Sequence, residues 1–341
     1  MTRIANDNAD ATAAKTPDDD IIQPFQLEAS GLRGRVVRIG ATLNDILSSH
    51  DYPLPVAHLL AETVATSLLL SSMLKYEGIF TLQTSSEGPV RTIVADVTTA
   101  GAIRAYAGYA QDLIKAMEAA EKRPTDGPYE GFDLRQMTGK GYLAFTVDQG
   151  ANTDRYQGIV ALTGDTLTGS VSHYFDQSEQ ISTTLKVNAS YDANSGWRAG
   201  AIMLQRMPDA SIGTDETAKD AIPFRPEQAA EKEDEWNRSS ILLQSVTGDE
   251  LVSPTLHSHE LLMRLFHEEG VRIFTPQSVI KKCRCSPDRV RDVLGTLTPD
   301  DREHASVNGV IEMTCEFCSQ TYRFNSDTME TVVVDETAKT H

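Results

Sequence analysis

The sequence contains no cysteine in its first 282 positions and only four in all, at Cys283, Cys285, Cys315 and Cys318. Cysteine is a common small residue of protein cores. Its exclusion from most of the chain indicates that stray thiols are kept away from these four. The region that contains them is therefore a candidate functional site.

Basic residues are also scarce. Lys and Arg total 31 against 49 Asp and Glu, which gives a formal net charge of −18. Phosphate contacts require clustered Lys and Arg, so the composition argues against a nucleic-acid partner. An acidic surface favours solubility and repels like-charged polyanions.

The sequence lacks a secretory signal and a convincing membrane span. Its N-terminal stretch is polar and acidic, whereas a signal peptide begins basic and continues apolar. The longest apolar run, residues 55–74, contains His58, Glu62 and several Ser and Thr residues. This run predicts a buried amphipathic helix with His58 in the core, and no membrane contact. We expect a cytoplasmic protein, and in that reducing compartment paired cysteines indicate metal or redox chemistry.

The chain is long enough for two or three structural units. Strand-like segments are not regularly interleaved with helices, which predicts an α+β fold with a mixed α/β-sheet N-terminal domain. A helix opened by a Thr42 cap is predicted after the first strands. The predicted division is a disordered acidic tail (1–25), an N-terminal α+β domain (26–208), a helical linker (209–270), a small C-terminal zinc-binding domain (271–328) and a C-terminal tail (329–341).

No constellation of residues for catalysis is present. The stretch HELLM departs from the H-E-x-x-H zinc motif because its fifth residue is Met263. A nucleophile elbow (G-x-S-x-G) and a phosphate-binding Walker A loop are both missing. We therefore expect the protein not to be an enzyme.

The cysteines form a C-x-C pair and a C-x-x-C pair. Four thiolates satisfy a tetrahedral zinc completely and leave no position open for a substrate. Alternating segments flank Cys315 and Cys318, which predicts a knuckle hairpin that directs both sulfurs to one point. The tighter C-x-C pair is uncommon in zinc ribbons. We expect one zinc per chain, while an iron–sulfur cluster or a thioredoxin-like redox centre fits these spacings less well.

Five basic residues surround the C-x-C pair in an otherwise acidic chain. Positive neighbours lower the pKa of a thiol and favour metal binding and attack by oxidants. The alternative, that these residues only solvate the start of a helix, stays open. They are Lys281, Lys282, Arg284, Arg289 and Arg291.

The cysteine pattern, C-x-C followed by a gap of 29 residues and C-x-x-C, resembles the signature of the 33 kDa chaperonin family. The segments HDYPLPVAHLLAE, GYLAFT, RYQGIVAL, YFDQSEQ and RLFHEEGVRIF also resemble that family and occur in the same order. The resemblance extends from about residue 25 to about residue 325. The sequence departs from the compact form of the family in three longer segments, which are the acidic N-terminal tail, the excursion near 111–137 and the loop near 209–225.

The resemblance implies a redox-regulated, ATP-independent holdase that binds unfolding client proteins. The reduced, zinc-bound form would be inactive. On oxidation Cys283 would pair with Cys285 and Cys315 with Cys318, zinc would leave, and the C-terminal unit and linker would unfold. The resemblance further implies a homodimer of the oxidised form.

The linker has the composition of a marginally stable helix. Its acidic residues greatly outnumber its basic ones between 227 and 238, and like charges at helical spacing weaken a helix. Four apolar residues are predicted to dock it on the N-terminal domain: Trp236, Leu242, Leu243 and Val246. The competing hypothesis is a zinc-ribbon adaptor or RNA-associated module, in which the zinc is purely structural.

Overall fold

The computed structural model describes residues 18–74, 76–120, 131–150, 155–206 and 226–332, with the backbone alone over 226–229. Most of the predicted acidic tail, part of the 111–137 excursion, the loop of 209–225 and most of the C-terminal tail lie outside these residues. Within them the chain forms two large sheets, a set of helices and a separate hairpin.

The first sheet, sheet A, contains six strands. They are β1 (Ile21–Leu27), β2 (Arg33–Ile39), β8 (Thr183–Asp192), β9 (Gly196–Gln205), β10 (Val271–Ile273) and β11 (Gln277–Ser278). The order across the sheet is β10-β1-β2-β9-β8, with β11 also paired to β1, and every pairing is antiparallel.

The second sheet, sheet B, also contains six strands. They are β3 (Ile79–Ser86), β4 (Val90–Thr98), β5 (Ala102–Tyr109), β6 (Gly141–Asp148), β7 (Tyr156–Ala161) and β12 (Ile280–Lys281). The order is β12-β5-β4-β3-β6-β7. Only the short β12 runs parallel to its neighbour. A third, two-stranded sheet is made of β13 (Val310–Thr314) and β14 (Thr321–Asn325).

Ten α-helices are described. They are α1 (Ala41–Leu47), α2 (Leu54–Met73), α3 (Gln111–Ala120), α4 (Leu134–Thr138), α5 (Leu167–Tyr174), α6 (Pro226–Gln244), α7 (Gly248–Val252), α8 (Ser258–Phe266), α9 (Pro287–Gly295) and α10 (Pro299–Ala305). A π-helical turn, Phe175–Glu179, continues α5, and a 3₁₀ turn, His267–Glu269, continues α8. The α+β class predicted from the sequence is confirmed.

Helix α2 lies at the centre of the N-terminal domain and contacts strands of both large sheets. It is long and apolar enough to span a membrane, but 89% of that span is buried inside the protein. The sequence predicted an amphipathic helix, whereas α2 is buried on nearly every side because a sheet covers each of two faces. His58 is a core residue, as predicted, and its Nε2 lies 3.1 Å from the carbonyl oxygen of Ala189.

Sheet A has apolar residues on both faces. One face contributes to the core around α2, and the other supports a second apolar cluster beneath helices α6 to α8. The buried members of this linker cluster are Phe25, Leu27, Leu32, Val36, Ile202, Leu204, Leu243, Val246, Leu251, Leu261, Leu262 and Phe266. The segment predicted as a helical linker is thus a layer of three helices on the outer face of sheet A.

Two domain boundaries differ from the predicted ones. Strand β1 begins at Ile21, inside the predicted tail of 1–25, because Ile21, Ile22 and Phe25 are buried beneath their neighbours. The predicted C-terminal unit began at 271, but residues 271–281 pair with β1 and β5 and so belong to the N-terminal domain. The separate C-terminal unit starts immediately before the first cysteine.

Candidate metal centre

The four cysteine sulfurs converge on one point. All four Sγ atoms lie within 4.8 Å of one another. The Sγ of Cys283 is 3.7 Å from that of Cys315, and the Sγ of Cys285 is 3.4 Å from that of Cys318. Each thiol therefore neighbours one from the other pair, and all four are half-buried.

A tight hairpin positions the second pair. Strands β13 and β14 pair in register up to Thr314 and Thr321. The turn between them is closed by Cys315 N–H donating to the Gln320 carbonyl at 2.9 Å and by Ser319 N–H donating to the Cys315 carbonyl at 2.8 Å. Ser319 has a φ of +56°, a left-handed conformation that lets the chain reverse. This is the knuckle hairpin that the flanking alternation predicted.

The first pair lies between a strand and a helix. Strand β12 ends at Lys281, and the N–H of Lys282 donates to the carbonyl of Ile103 on β5 at 3.0 Å. Helix α9 begins just after the pair, where the Ser286 side chain accepts the Arg289 N–H and so caps the helix. Both ends of the C-x-C segment are fixed, which holds its two sulfurs toward the hairpin.

These residues fit a zinc ion. Zinc–sulfur bonds of about 2.3 Å in a tetrahedron place neighbouring sulfurs ~3.8 Å apart, close to the observed 3.4 and 3.7 Å. No carboxylate or imidazole belongs to the cluster among the described residues. The donor set is four soft sulfurs, which suits zinc and leaves no coordination position for a substrate.

The environment shifts the pKa values of three of the thiols in different directions. Burial opposes ionisation of Cys283, but hydrogen bonds from the Cys285 N–H and the neighbouring thiols lower the pKa of Cys283 to about 6. Burial, together with the neighbouring thiols, raises the pKa of Cys318 to about 12 and also raises that of Cys285. The Tyr322 hydroxyl donates to the Cys285 sulfur at 3.2 Å. Metal binding would therefore displace protons from Cys285 and Cys318.

The unit that carries the cysteines has a very small core of its own. Its fully buried apolar side chains are Leu294, Ile311 and Phe324, with a few partly buried residues around them. Burial of one such side chain contributes roughly 1.5–3 kcal/mol, so three cannot offset the conformational entropy of some fifty ordered residues. A bound metal would supply the missing folding free energy.

The tip of the knuckle hairpin contacts the N-terminal domain. Phe317, between the two hairpin cysteines, lies under the guanidinium of Arg104 and 4.9 Å from the ring centroid of Tyr106, both on β5. Arg104 also places Nη1 4.0 Å from the Cys283 sulfur. Beside it, the Ser319 hydroxyl donates to the Ser49 carbonyl at 2.6 Å.

One aspartate of sheet B binds an arginine from each side of the contact between the N-terminal domain and the cysteine-bearing unit. Asp96 on β4 accepts Nε and Nη2 of Arg104 at 2.8 and 2.7 Å. It also accepts a hydrogen bond from Arg284, the middle residue of the C-x-C pair. Asp96 is buried, so these charge-assisted bonds connect the metal centre firmly to the sheet.

Most of the basic residues around the C-x-C pair donate to groups other than the cysteine sulfurs. Lys281 donates to the Asp45 carbonyl and to Ser49, while Arg289 donates to the carbonyl of Arg284. The guanidinium of Arg104, by contrast, lies beside the Cys283 sulfur. Sequence reasoning missed Arg104 because it lies far from the cysteines in the chain. The sequence signal for this contact was Phe317, an aromatic residue at the tip of a turn, which indicates docking against another surface.

The predicted linker-docking residues lie in or against the linker cluster. Leu243 and Val246 are fully buried in it, and Trp236 and Leu242 pack partly buried at its edge. Lys186 donates to the carbonyls of Gln244 and Val246 at the end of α6. Helix α7 approaches β9 so closely that a Cβ at Gly200 would lie 2.1 Å from the Leu251 carbonyl oxygen. Only glycine permits this approach.

Fold and site together define a class of protein. It consists of a two-sheet α+β domain, a helical layer packed on its outer face, and a small C-terminal unit with four convergent cysteines. The family model described as Hsp33 protein matches residues 20–325, which is most of the chain. The chain belongs to the Hsp33 family of chaperones.

Relatives from several bacteria support this assignment. The 33 kDa chaperonin of Caulobacter vibrioides is 35% identical over 311 residues, which cover 90% of this chain and 95% of the relative. That of Pseudomonas fluorescens is 34% identical over 312 residues, which cover 91% and 92%. The crystal structure of the 33 kDa chaperonin from Thermotoga maritima has the same fold, with a TM-score of 0.71, 18% identity and coverage of 91% and 96%.

Proposed function

We propose that this protein is a redox-regulated, ATP-independent holdase of the cytoplasm, which binds unfolding proteins when its cysteines are oxidised. The convergence of four cysteines in a unit with almost no core of its own is the observation that carries the proposal. Such a unit depends on its thiolates for folding, so its fold responds to their oxidation state.

Cys283, Cys285, Cys315 and Cys318 would hold one zinc in the reduced form. When bound, the zinc keeps the four sulfurs together and so supplies folding free energy to the C-terminal unit. The hydrogen bond from Tyr322 to the Cys285 sulfur and the backbone hydrogen bonds of Cys315 help to orient the sulfurs. This form is closed, and the linker cluster is covered by α6 to α8.

Oxidation would form two disulfides, Cys283–Cys285 and Cys315–Cys318. This pairing is carried over from the family, because in the folded unit each sulfur also neighbours one of the other pair. For each disulfide, two zinc-bound thiolates would lose two electrons as one S–S bond forms, and one hydrogen peroxide would take up these electrons and two protons from the solvent to give two molecules of water. The chain thus consumes two peroxides, and the donors that held the metal are gone.

Loss of the C-terminal fold would release Phe317 from Arg104. It would also weaken the docking of the linker helices on the N-terminal domain. Helix α6 is acidic along its exposed residues and depends on Leu243 and Val246 for its position. Its departure would uncover the apolar outer face of sheet A, a surface suited to unfolding proteins. Client binding would then require no nucleotide. A homodimer of the oxidised form is part of the same proposal.

The test compares reduced, zinc-loaded protein with protein treated with hydrogen peroxide. We expect peroxide to release one zinc per chain, remove four free thiols, and give a form that suppresses aggregation of a denatured enzyme diluted into buffer. A variant with all four cysteines changed to serine is the control and should not respond to peroxide. Zinc loss without any gain of anti-aggregation activity would favour a purely structural zinc and overturn the holdase.

A further inference from the structure

The end of the acidic N-terminal stretch is hydrogen-bonded to the linker helices. Asp18 is buried, and its carboxylate accepts the backbone N–H and the hydroxyl of Ser258, each at 2.6 Å. Ser258 is the first residue of α8. A carboxylate at that position satisfies a free N–H of the helix start and interacts favourably with the helix dipole. The contact joins residues 240 positions apart.

Asp18 also neutralises a buried arginine that binds the linker. Arg38 on β2 lies 3.2 Å from Asp18 through Nη1. Its other contacts are with main-chain carbonyls of the linker: Glu250 at 2.8 Å, Leu251 at 3.3 Å, and Leu256. Without this carboxylate the guanidinium of Arg38 would lose the ion pair that offsets the cost of burying its charge, and that loss is strongly unfavourable.

The next aspartate repeats the arrangement. Asp19 accepts both terminal nitrogens of Arg198 on β9, at 2.8 and 2.5 Å. The Nε of Arg198 donates to the carbonyl of Val252, the last residue of α7, at 2.8 Å. Two arginines of sheet A therefore hold the C-terminal carbonyls of α7, and two consecutive aspartates hold the arginines in place.

The third aspartate fixes this segment to the N-terminal domain. The carboxylate of Asp20 accepts the N–H groups of Gly40 and Thr42 at 3.0 and 3.1 Å. Its carbonyl accepts the N–H of Val279 at 2.7 Å. Asp20 is thus an anchor, and strand β1 follows it directly. Asp18 and Asp19 extend from a fixed base toward α7 and α8.

We propose that Asp18 and Asp19 form an aspartate latch that keeps α7 and α8 docked in the inactive protein. The latch rests on the proposed function, since it restrains the layer whose release exposes the apolar face of sheet A. It adds a polar lock, remote from the cysteines, to the apolar linker cluster. Opening it would undock α7 and α8 while the metal centre stays intact.

The test uses the full-length protein, reduced and loaded with zinc, so that no cysteine changes. Asp18→Asn removes the charge and places an amide where the donors of Ser258 and Arg38 already point. Ser258→Ala removes one of those donors from the other side. Asp165→Asn, at an exposed aspartate outside the contact, is the matched control. Hydrogen exchange, zinc content, free thiols and suppression of client aggregation are measured on each.

We expect amide exchange over residues 248–266 to rise about tenfold in Asp18→Asn and by a smaller factor in Ser258→Ala, as loss of a buried charge-assisted contact predicts. Zinc and four thiols should be retained, exchange in sheet B should not change, and reduced Asp18→Asn should suppress aggregation in part. Asp165→Asn should match the wild type.

Unchanged exchange over 248–266 in both variants would overturn the latch. If Asp18→Asn also raises exchange in sheet B, Ser258→Ala decides: a rise confined to 248–266 supports the latch, and no rise overturns it. The two proposals fail separately. Oxidised wild type that does not suppress aggregation would overturn the holdase alone, whereas active oxidised wild type with unchanged variants would overturn the latch alone.

Discussion

The guanidinium of Arg104 lies 3.8 Å from the centre of the Phe317 ring, across the boundary between sheet B and the metal centre. The same arginine is held by Asp96 and approaches the Cys283 sulfur. One side chain therefore connects the sheet, the knuckle hairpin and the C-x-C pair. This contact holds the cysteine-bearing unit against sheet B.

Replacing Phe317 with alanine should loosen that docking without removing a metal ligand. A cation–π contact and an aromatic pair together contribute about 1–2 kcal/mol, so peroxide should consume the thiols roughly 5–30-fold faster. Thiol loss over time after peroxide addition measures this. The control is Phe274→Ala, at a phenylalanine that is 45% exposed. Equal rates in both variants and the wild type would show that the contact does not protect the cysteines.

Leu243→Ala should undock α6 in the reduced protein. Leu243 is fully buried in the linker cluster, and truncation of such a side chain costs about 2–5 kcal/mol. Hydrogen exchange over residues 230–246 should rise while the zinc is retained. Ile241→Ala, on the same helix but 71% exposed, should leave exchange near the wild-type rate. A similar rise in both variants would mean that burial of Leu243 is not what holds α6 in place.

Cys283→Ser should weaken zinc binding at least about 100-fold, because a hydroxyl replaces a thiolate donor and even losses outside the ligand shell reach that size. Competition with a chromogenic chelator measures the affinity. Hydrogen exchange should increase over 283–332 and stay unchanged in sheet B. Val307→Ser, at a residue of the same unit that is 74% exposed, should bind zinc normally. Wild-type affinity in Cys283→Ser would exclude this residue as a ligand.

Glu62 on α2 should make the N-terminal domain less stable as pH rises. Burial raises the pKa of Glu62 to about 7, from an ordinary value of 4.5. Between these values the unfolded chain loses the proton while the folded chain keeps it, so the free energy of unfolding falls from about pH 4.5 to about pH 7 and then levels off. The total change is on the order of a few kcal/mol.

Glu62→Gln should remove this slope and raise the melting temperature at pH 7 and above. Thermal unfolding followed by circular dichroism across pH 4.5–8 tests it. The control is Glu77→Gln, at an exposed glutamate just beyond the same helix. A slope that persists in Glu62→Gln would assign the pH dependence to another group.

The sequence was sufficient wherever a feature has a local signature. Alternating residues predicted the knuckle hairpin of β13 and β14, and the spacing of the cysteines predicted their convergence. The short strands β10 to β12 have no such signature, because two or three residues do not establish a period. They were therefore placed in the C-terminal unit, although they pair with the N-terminal domain.

The start of α1 shows why local patterns can mislead. Thr42 was predicted to cap the helix, but α1 begins at Ala41 with Gly40 at its N-cap and no side-chain cap from its own sequence. The N–H of Thr42 is satisfied by Asp20 instead. In the same way, the aspartates at 18–20 have the composition of a disordered tail, and contacts with arginines and backbone N–H groups distant in the sequence make them part of the fold.

The strands β10, β11 and β12 have a consequence for self-association. Each closes an edge of a large sheet, β10 and β11 beside β1 and β12 beside β5. A free edge offers a row of unpaired donors and acceptors that readily pairs with another chain. If unfolding from the C-terminus stops at residue 282, both sheet edges stay covered and the domain should remain monodisperse. If it extends back to residue 271, one edge of each sheet opens and the subunit could polymerise through these edges. A few residues of backbone pairing thus decide whether one edge of each large sheet is covered or open to another chain.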